Sequence, residues 1–151
     1  MREVLAVAGR FRRFYTKLFQ PLAEEYGLSQ LEIDILLFLH NNPECDTARD
    51  ITNLRGFAKS NVSKAVEALS RRGWLDVRTD PSDRKLRRLR IKPAALDGLE
   101  ALCTCQESFY TVLLKGFAPE EREALHRVLE RLDSNIQKAM EDLEGGESHA
   151  V

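Results

Sequence analysis

The segment from Arg55 to Lys92 sets a helix, an abrupt stop and a basic hairpin in immediate succession, an order that few folds accept. Between Ala58 and Leu69 the apolar residues recur at helical spacing. A turn of about 100° per residue gathers Val62, Ala65, Val66 and Leu69 on one side of that helix, with Ser60, Lys64, Glu67 and Arg71 opposite. Arg71-Arg72-Gly73 supplies cations for the last turn and a glycine stop. Two strand-like runs follow, Trp74 to Arg78 and Leu86 to Ile91, around Asp80-Pro81-Ser82-Asp83, whose proline and aspartates favour a turn. This window holds twelve Lys and Arg against four Asp and Glu, a net of +8, in a chain whose formal charge is −1, so the remainder carries −9. Such a concentration is the electrostatic footprint of a nucleic-acid contact surface. The competing reading is a charge-rich hairpin that only meets solvent.

A length of 151 residues suits one domain, or one small domain with helical extensions. With 43% hydrophobic and 31% charged residues, the composition is that of a soluble protein rich in amphipathic helix. No apolar run approaches the length of a membrane span, and Met1-Arg2-Glu3 does not open a secretion signal. The expectation is a cytoplasmic protein with no membrane partner. Three cysteines, an odd number, argue against a disulfide framework.

Helices dominate the rest. Val4, Leu5, Val7, Ala8, Phe11, Phe14, Tyr15, Leu18 and Phe19 form a wide stripe on a first helix that Pro21 should kink or end and Gly27 should close. Ser29-Gln30-Leu31-Glu32 is a capping box opening a second helix, with Leu31, Ile35, Leu36 and Leu39 as its core face. Thr47 and Asp50 repeat the pattern before a short third helix through Leu54, and Gly56 turns the chain into the fourth. After the hairpin, a fifth helix should run from Pro93 to about Lys115, with Gly116 as its stop. Pro119-Glu120-Glu121 opens a sixth, striped by Leu125, Val128, Leu129, Leu132, Ile136, Met140 and Leu143 and ended by Gly145-Gly146. The resulting fold class is mainly α: a winged helix-turn-helix with a small two- or three-stranded sheet and long helices at both ends.

In such a module the fourth helix reads DNA. Its apolar side anchors, while Asn61 and Ser63 flank the outward face near the N-terminus, where side chains reach base edges. Asn pairs with adenine, and Lys with guanine or phosphate.

The run Asn61-Val62-Ser63-Lys64-Ala65-Val66-Glu67-Ala68-Leu69-Ser70-Arg71-Arg72-Gly73-Trp74-Leu75, followed by Asp80-Pro81-Ser82-Asp83-Arg84-Lys85, resembles the recognition helix and wing tip of the MarR family of winged-helix transcription regulators. The likeness extends over almost the whole chain. Asp83 matches the family's wing acid, Lys85 stands where the family has arginine, and Ile91-Lys92-Pro93 stands where it more often has Leu-Thr. The resemblance implies a single domain over 1–143, with a DNA-binding module at 29–92 and dimerisation helices at 1–26 and 93–143; residues 144–151 are expected to be a disordered tail. It implies DNA contacts by Lys59, Ser60, Asn61, Ser63, Lys64 and Arg71 and by Asp83, Arg84, Lys85 and Arg87. It also implies a homodimer, and apolar stripes too long for a winged module to bury agree with that. Leu125, Leu129, Leu132 and Ile136 are its candidate interface, against the alternative of an intrachain helical hairpin.

Many members of the family bind a small aromatic effector, for which Phe11, Phe14, Tyr15, Leu37 and His40 are the candidate lining; the plainer reading is an aromatic core face. Catalysis has little support. His40, His126 and His149 fall into no nucleophile or metal spacing, and no metal or other cofactor is expected. Cys103 and Cys105 point to nearly opposite sides of a helix and read as buried packing residues. Redox-sensing members of the family place a cysteine in the first helix, whereas this chain has none before Cys45. The sequence therefore predicts a homodimeric, sequence-specific DNA-binding regulator, a ligand-responsive repressor on an operator of pseudo-palindromic form. The alternative is a winged-helix protein-interaction or nonspecific DNA-binding structural protein.

Overall fold

A computed structural model describes residues 2–147 as six α-helices and a two-stranded antiparallel sheet. Helix α1 spans Arg2–Tyr26 and passes through Pro21 instead of ending there. One lost amide bond is tolerated where the flanking turns are held, and Phe19 is fully buried while Leu22, Ala23 and Tyr26 pack on the core. Gly27 then closes the helix with φ 61°.

Helix α2, Gln30–Asn41, begins at the predicted capping box: Glu32 N donates to Ser29 Oγ at 3.2 Å and Ser29 N to Glu32 Oε2 at 3.3 Å. Its buried set is Ile33 and the unbroken run Ile35, Leu36, Leu37, Phe38 and Leu39, wider than the predicted stripe, and Leu31 is only half-buried. A helix apolar on nearly every side is one surrounded by other elements, and α2 is the centre of the core. Helix α3, Ala48–Arg55, carries the second capping box on Thr47 and Asp50, and Gly56 in the left-handed region ends it.

Helix α4 is Lys59–Arg71, and its buried residues are Val62, Ala65, Val66 and Leu69, the face predicted from spacing. At its end Gly73 takes φ 77° and Trp74 N donates back to Leu69 O at 2.9 Å. Strands β1, Leu75–Thr79, and β2, Arg87–Ile91, pair with Leu75 opposite Ile91 and Val77 opposite Leu89. Thr47 adds an isolated bridge to Arg88, and Leu89 N donates to Asp46 O at 2.7 Å, so β2 is gripped on both edges. Pro93 opens a short 3-10 turn, Pro93–Ala95, before α5 begins at Leu96 and runs to Leu113.

The chain divides into two compact units, one through Phe109 and one from Tyr110 onward. The second contains the last turn of α5, a turn at Gly116 (φ 82°) and helix α6, Pro119–Glu147. Arg122 ties the start of α6 to the carbonyls of Leu114 and Phe117. Gly145 and Gly146 do not end α6, which continues to Glu147. Glycine costs about 1 kcal/mol in a helix but forbids nothing; it terminates only where it adopts positive φ, which Gly145 does not. The expected tail from 144 is therefore helical through Glu147, and its remainder, 148–151, lies outside the described residues.

Candidate nucleic-acid interface

The anchored face of α4 turns the opposite face to solvent. Lys59, Ser60, Asn61, Ser63, Lys64 and Arg71 are all exposed. Ala58, the residue before the helix, supplies no side-chain cap, and its carbonyl alone takes the amides of Asn61 and Val62, at 3.0 and 3.1 Å. Arg71 is partly spent on an ion pair with Glu67 one turn earlier. Lys59, Ser60, Asn61, Ser63 and Lys64 have no side-chain partner among the described residues.

Beside this face stands the hairpin. Ser63, Glu67, Arg71, Val77 and Arg87 line one cleft of about 550 Å³ between α4 and the sheet. Arg84 and Lys85 are exposed at the tip, and Arg87 is exposed at the start of β2. The Asp83 carboxylate does not brace an arginine side chain: it accepts the backbone amide of Lys85 at 2.9 Å and so shapes the turn.

The turn itself hangs on Asp80, which is 7% exposed. Its Oδ1 accepts from Ser82 N at 2.8 Å, Ser82 Oγ at 2.6 Å and Asp83 N at 3.1 Å, while Oδ2 accepts from Arg88 Nε at 2.8 Å. The Ser82 hydroxyl, the Arg88 guanidinium and the turn amides hold this carboxyl well below the usual carboxylate range. Arg88 also pairs with Asp46, just before α3. The sequence counted Arg88 only as one more cation of the hairpin. The acids that would have distinguished it lie 8 and 42 residues away.

The other nominated residues scatter. Phe11, Phe14 and Tyr15 converge on Phe109, with ring centroids 5.0, 5.2 and 5.2 Å from it. The Tyr15 hydroxyl donates to Asp34 Oδ1 at 2.9 Å. Leu37 is buried in the core, whereas His40 is exposed and lines a different cleft with Pro43, Asp46, Arg90 and Leu96. Leu125, Leu129, Leu132 and Ile136 are exposed along α6 at 38, 54, 51 and 57%. Burial pushes the thiols of Cys45, Cys103 and Cys105 up, away from the reactive thiolate, and Cys105 Sγ sits 3.6 Å from Leu18 O. Among the described residues no three His, Cys, Asp or Glu side chains form a metal-binding group, and no helix is long and apolar enough to cross a membrane.

A sequence model of the MarR family matches residues 26–86, from the end of α1 to the wing. A Bacillus subtilis protein described as the uncharacterized HTH-type transcriptional regulator YdgJ is 24% identical over 110 residues, 73% of this chain and 66% of that protein. The present chain therefore spans just under two thirds of the curated relative. Solved structures share its fold. A MarR family regulator from Listeria monocytogenes, complexed with a 26mer DNA, superposes with a TM-score of 0.76 at 16% identity, covering 96% of this chain and 93% of that one. BpsR of Bordetella bronchiseptica, whose DNA binding is regulated by 6-hydroxynicotinic acid, superposes with a TM-score of 0.68 at 21% identity, covering 87% and 98%. With both structures the likeness of this chain is one of fold.

Proposed function

We propose that this chain is a transcription regulator of the MarR type: a homodimeric, sequence-specific repressor, acting in the cytoplasm, whose hold on DNA responds to a small aromatic ligand. The observation that carries the reading is the continuity of two surfaces: the exposed polar face of α4 and the exposed cations of the hairpin meet in the cleft that Ser63, Arg71 and Arg87 share. Residues 29–92 form the reading module, and 1–26 with 93–143 the dimerisation region.

In this reading α4 enters the major groove, where Asn61 pairs with an adenine edge and Lys64 with guanine or phosphate, while Lys59, Ser60, Ser63 and Arg71 complete the contact face. Arg84, Lys85 and Arg87, placed by the turn that Asp83 shapes, meet phosphates and the minor groove. Two copies joined through Leu125, Leu129, Leu132 and Ile136 present two such helices, which suits a pseudo-palindromic operator with half-sites about 10–10.5 bp apart. The relative from Listeria monocytogenes bound to DNA supports the partner, and BpsR with its aromatic acid supports the ligand class. Phe11, Phe14 and Tyr15 supply the aromatic surface for it.

Selection from a random duplex pool, followed by titration of the selected site and of random DNA at several salt concentrations, tests the proposal. Asn61→Ala and Lys64→Ala should each cost about 1–3 kcal/mol on the selected site and little on random DNA. Equal affinity for both DNAs at raised salt would leave a nonspecific winged-helix protein in place of a regulator with an operator.

A further inference from the structure

The cations of the hairpin are not equivalent. Among the described residues, the side chains of Arg84, Lys85, Arg87 and Arg90 have no acidic partner, and Arg78 pairs with Asp76 on its own strand. Arg88 alone of this group reaches an acid outside the hairpin. Its Nε faces Asp80 at the turn and its Nη1 faces Asp46, the residue before the Thr47 cap of α3. Asp80 is in turn saturated by Ser82 and Asp83, so the turn, β2 and the entry to α3 are joined through one guanidinium.

We propose that Arg88 is a positioning residue for DNA binding: bridging Asp80 and Asp46, it fixes the wing tip relative to the helix-turn-helix and does not itself contact DNA. This rests on the reading of the hairpin as a DNA-contacting wing. A planar fork spans two carboxylates in a way that a single ammonium cannot. With both acids engaged, little of the guanidinium charge remains for a phosphate. What Arg88 gives the complex is a smaller ordering cost when Arg84 and Lys85 dock, because the tip is already in place.

The idea makes predictions opposite in sign to simple electrostatics. Asp46→Ala removes a negative charge beside a basic surface, which by Coulomb attraction alone would tighten DNA binding. Loss of the brace should instead weaken it by roughly three- to tenfold. Arg88→Lys retains the charge and would preserve a phosphate contact, yet it should weaken binding to a similar degree. An Arg84→Ala/Lys85→Ala tip variant, made alone and with Asp46→Ala, completes the cycle: the tip substitutions should cost less once the brace is gone.

Duplex titrations at fixed salt read these changes. Heteronuclear relaxation of the Ser82–Lys85 amides in the free protein should show a more mobile tip in Asp46→Ala, independent of DNA and with the circular dichroism of the fold retained. Should Arg88→Lys fail to fold, Asp46→Ala still decides. If the tip variant weakens binding while Asp46→Ala binds as tightly as wild type or tighter, Arg88 is not a brace. If the tip variant itself leaves binding unchanged, the hairpin is not a DNA-contacting wing and the brace falls with it.

Discussion

Gly98 is the position where one added methyl group should do most harm. A Cβ built there would lie 2.5 Å from Trp74 Cη2, 3.1 Å from Cζ3 and 3.4 Å from Cζ2, where carbon atoms prefer about 3.5–4.0 Å. The indole has little room to retreat. The Arg72 guanidinium sits 4.6 Å from its centroid and the Tyr26 ring 6.0 Å, while the Trp74 backbone bonds to Leu69 O and Lys92 N. Overpacking against such a neighbour costs about 2–3 kcal/mol. Replacing glycine by alanine within a helix returns about 1 kcal/mol of backbone preference, so Gly98→Ala should destabilise by about 1–2 kcal/mol. In a chain of this size that lowers Tm by roughly 3–6 °C. Thermal unfolding followed by circular dichroism at one fixed protein concentration is the assay, since dimerisation would make Tm depend on concentration. A Trp74→Leu background supplies the internal control: the clash is removed there, so the same Gly98→Ala change should become neutral or stabilising by up to about 1 kcal/mol. An increase in Tm in the wild-type background, or an equal loss in both, would refute the packing argument.

Replacing both Leu129 and Leu132 by glutamate should convert dimer to monomer or insoluble chain, since each leucine buried at an interface contributes about 1.5–3 kcal/mol; sedimentation equilibrium reads the result, and a wild type that is monomeric at micromolar concentration would remove the proposed interface. Asp34 gives a pH dependence. Burial raises its carboxyl pKa against the opposing hydrogen bonds of Tyr15 and Gln30 and the charge of Arg55. A folded value above the unfolded one means that its contribution is fully present below the unfolded value of 3.8 and is lost as pH rises through the folded value. Both donors reach Oδ1, which asparagine can reproduce, so Asp34→Asn should unfold at higher temperature near neutral pH and show a flatter stability profile just above the usual carboxylate range. Identical pH profiles for the two proteins would show that Asp34 is not the group responsible.

What the sequence disclosed and what it withheld divide along the range of the interactions. The capping boxes at Ser29 and Thr47, the glycine stops at 27, 56, 73 and 116 and the buried face of α4 are decided within a few residues, so a linear reading finds them. The Gly98 contact with Trp74 joins residues far apart in the chain, and nothing in the local pattern of α5 marks that glycine. His40 and Phe14 share a helical aromatic-and-core vocabulary in one dimension, yet the folded chain sends them to different surroundings. Pro21 and Gly145 show the converse error: both are helix-breaking residues by propensity, and both sit inside helices because propensity sets a cost and not a prohibition.

The basic surface shows why charge density alone nominates a candidate nucleic-acid face better than it nominates contact residues. Of the twelve cations between Arg55 and Lys92, four hold the protein itself: Arg71 on Glu67, Arg72 on the Tyr26 and Gly27 carbonyls, Arg78 on Asp76, and Arg88 on Asp80 and Asp46. Among the described residues the other eight make no ion pair, though Arg55 lies over the Phe57 ring, and in the proposed reading only such cations would release counterions from DNA. The four committed cations are not wasted on the interface. Arg72 packs on Trp74 at the base of the hairpin and Arg88 secures its turn, so in the proposed reading they place the remaining cations where a duplex would meet them together. A cluster of like charges that folded without such partners would repel itself and hold its tip loosely. Here acids drawn from α4, β1, the turn and the segment before α3 divide the same cations into a fixed frame and a contact surface.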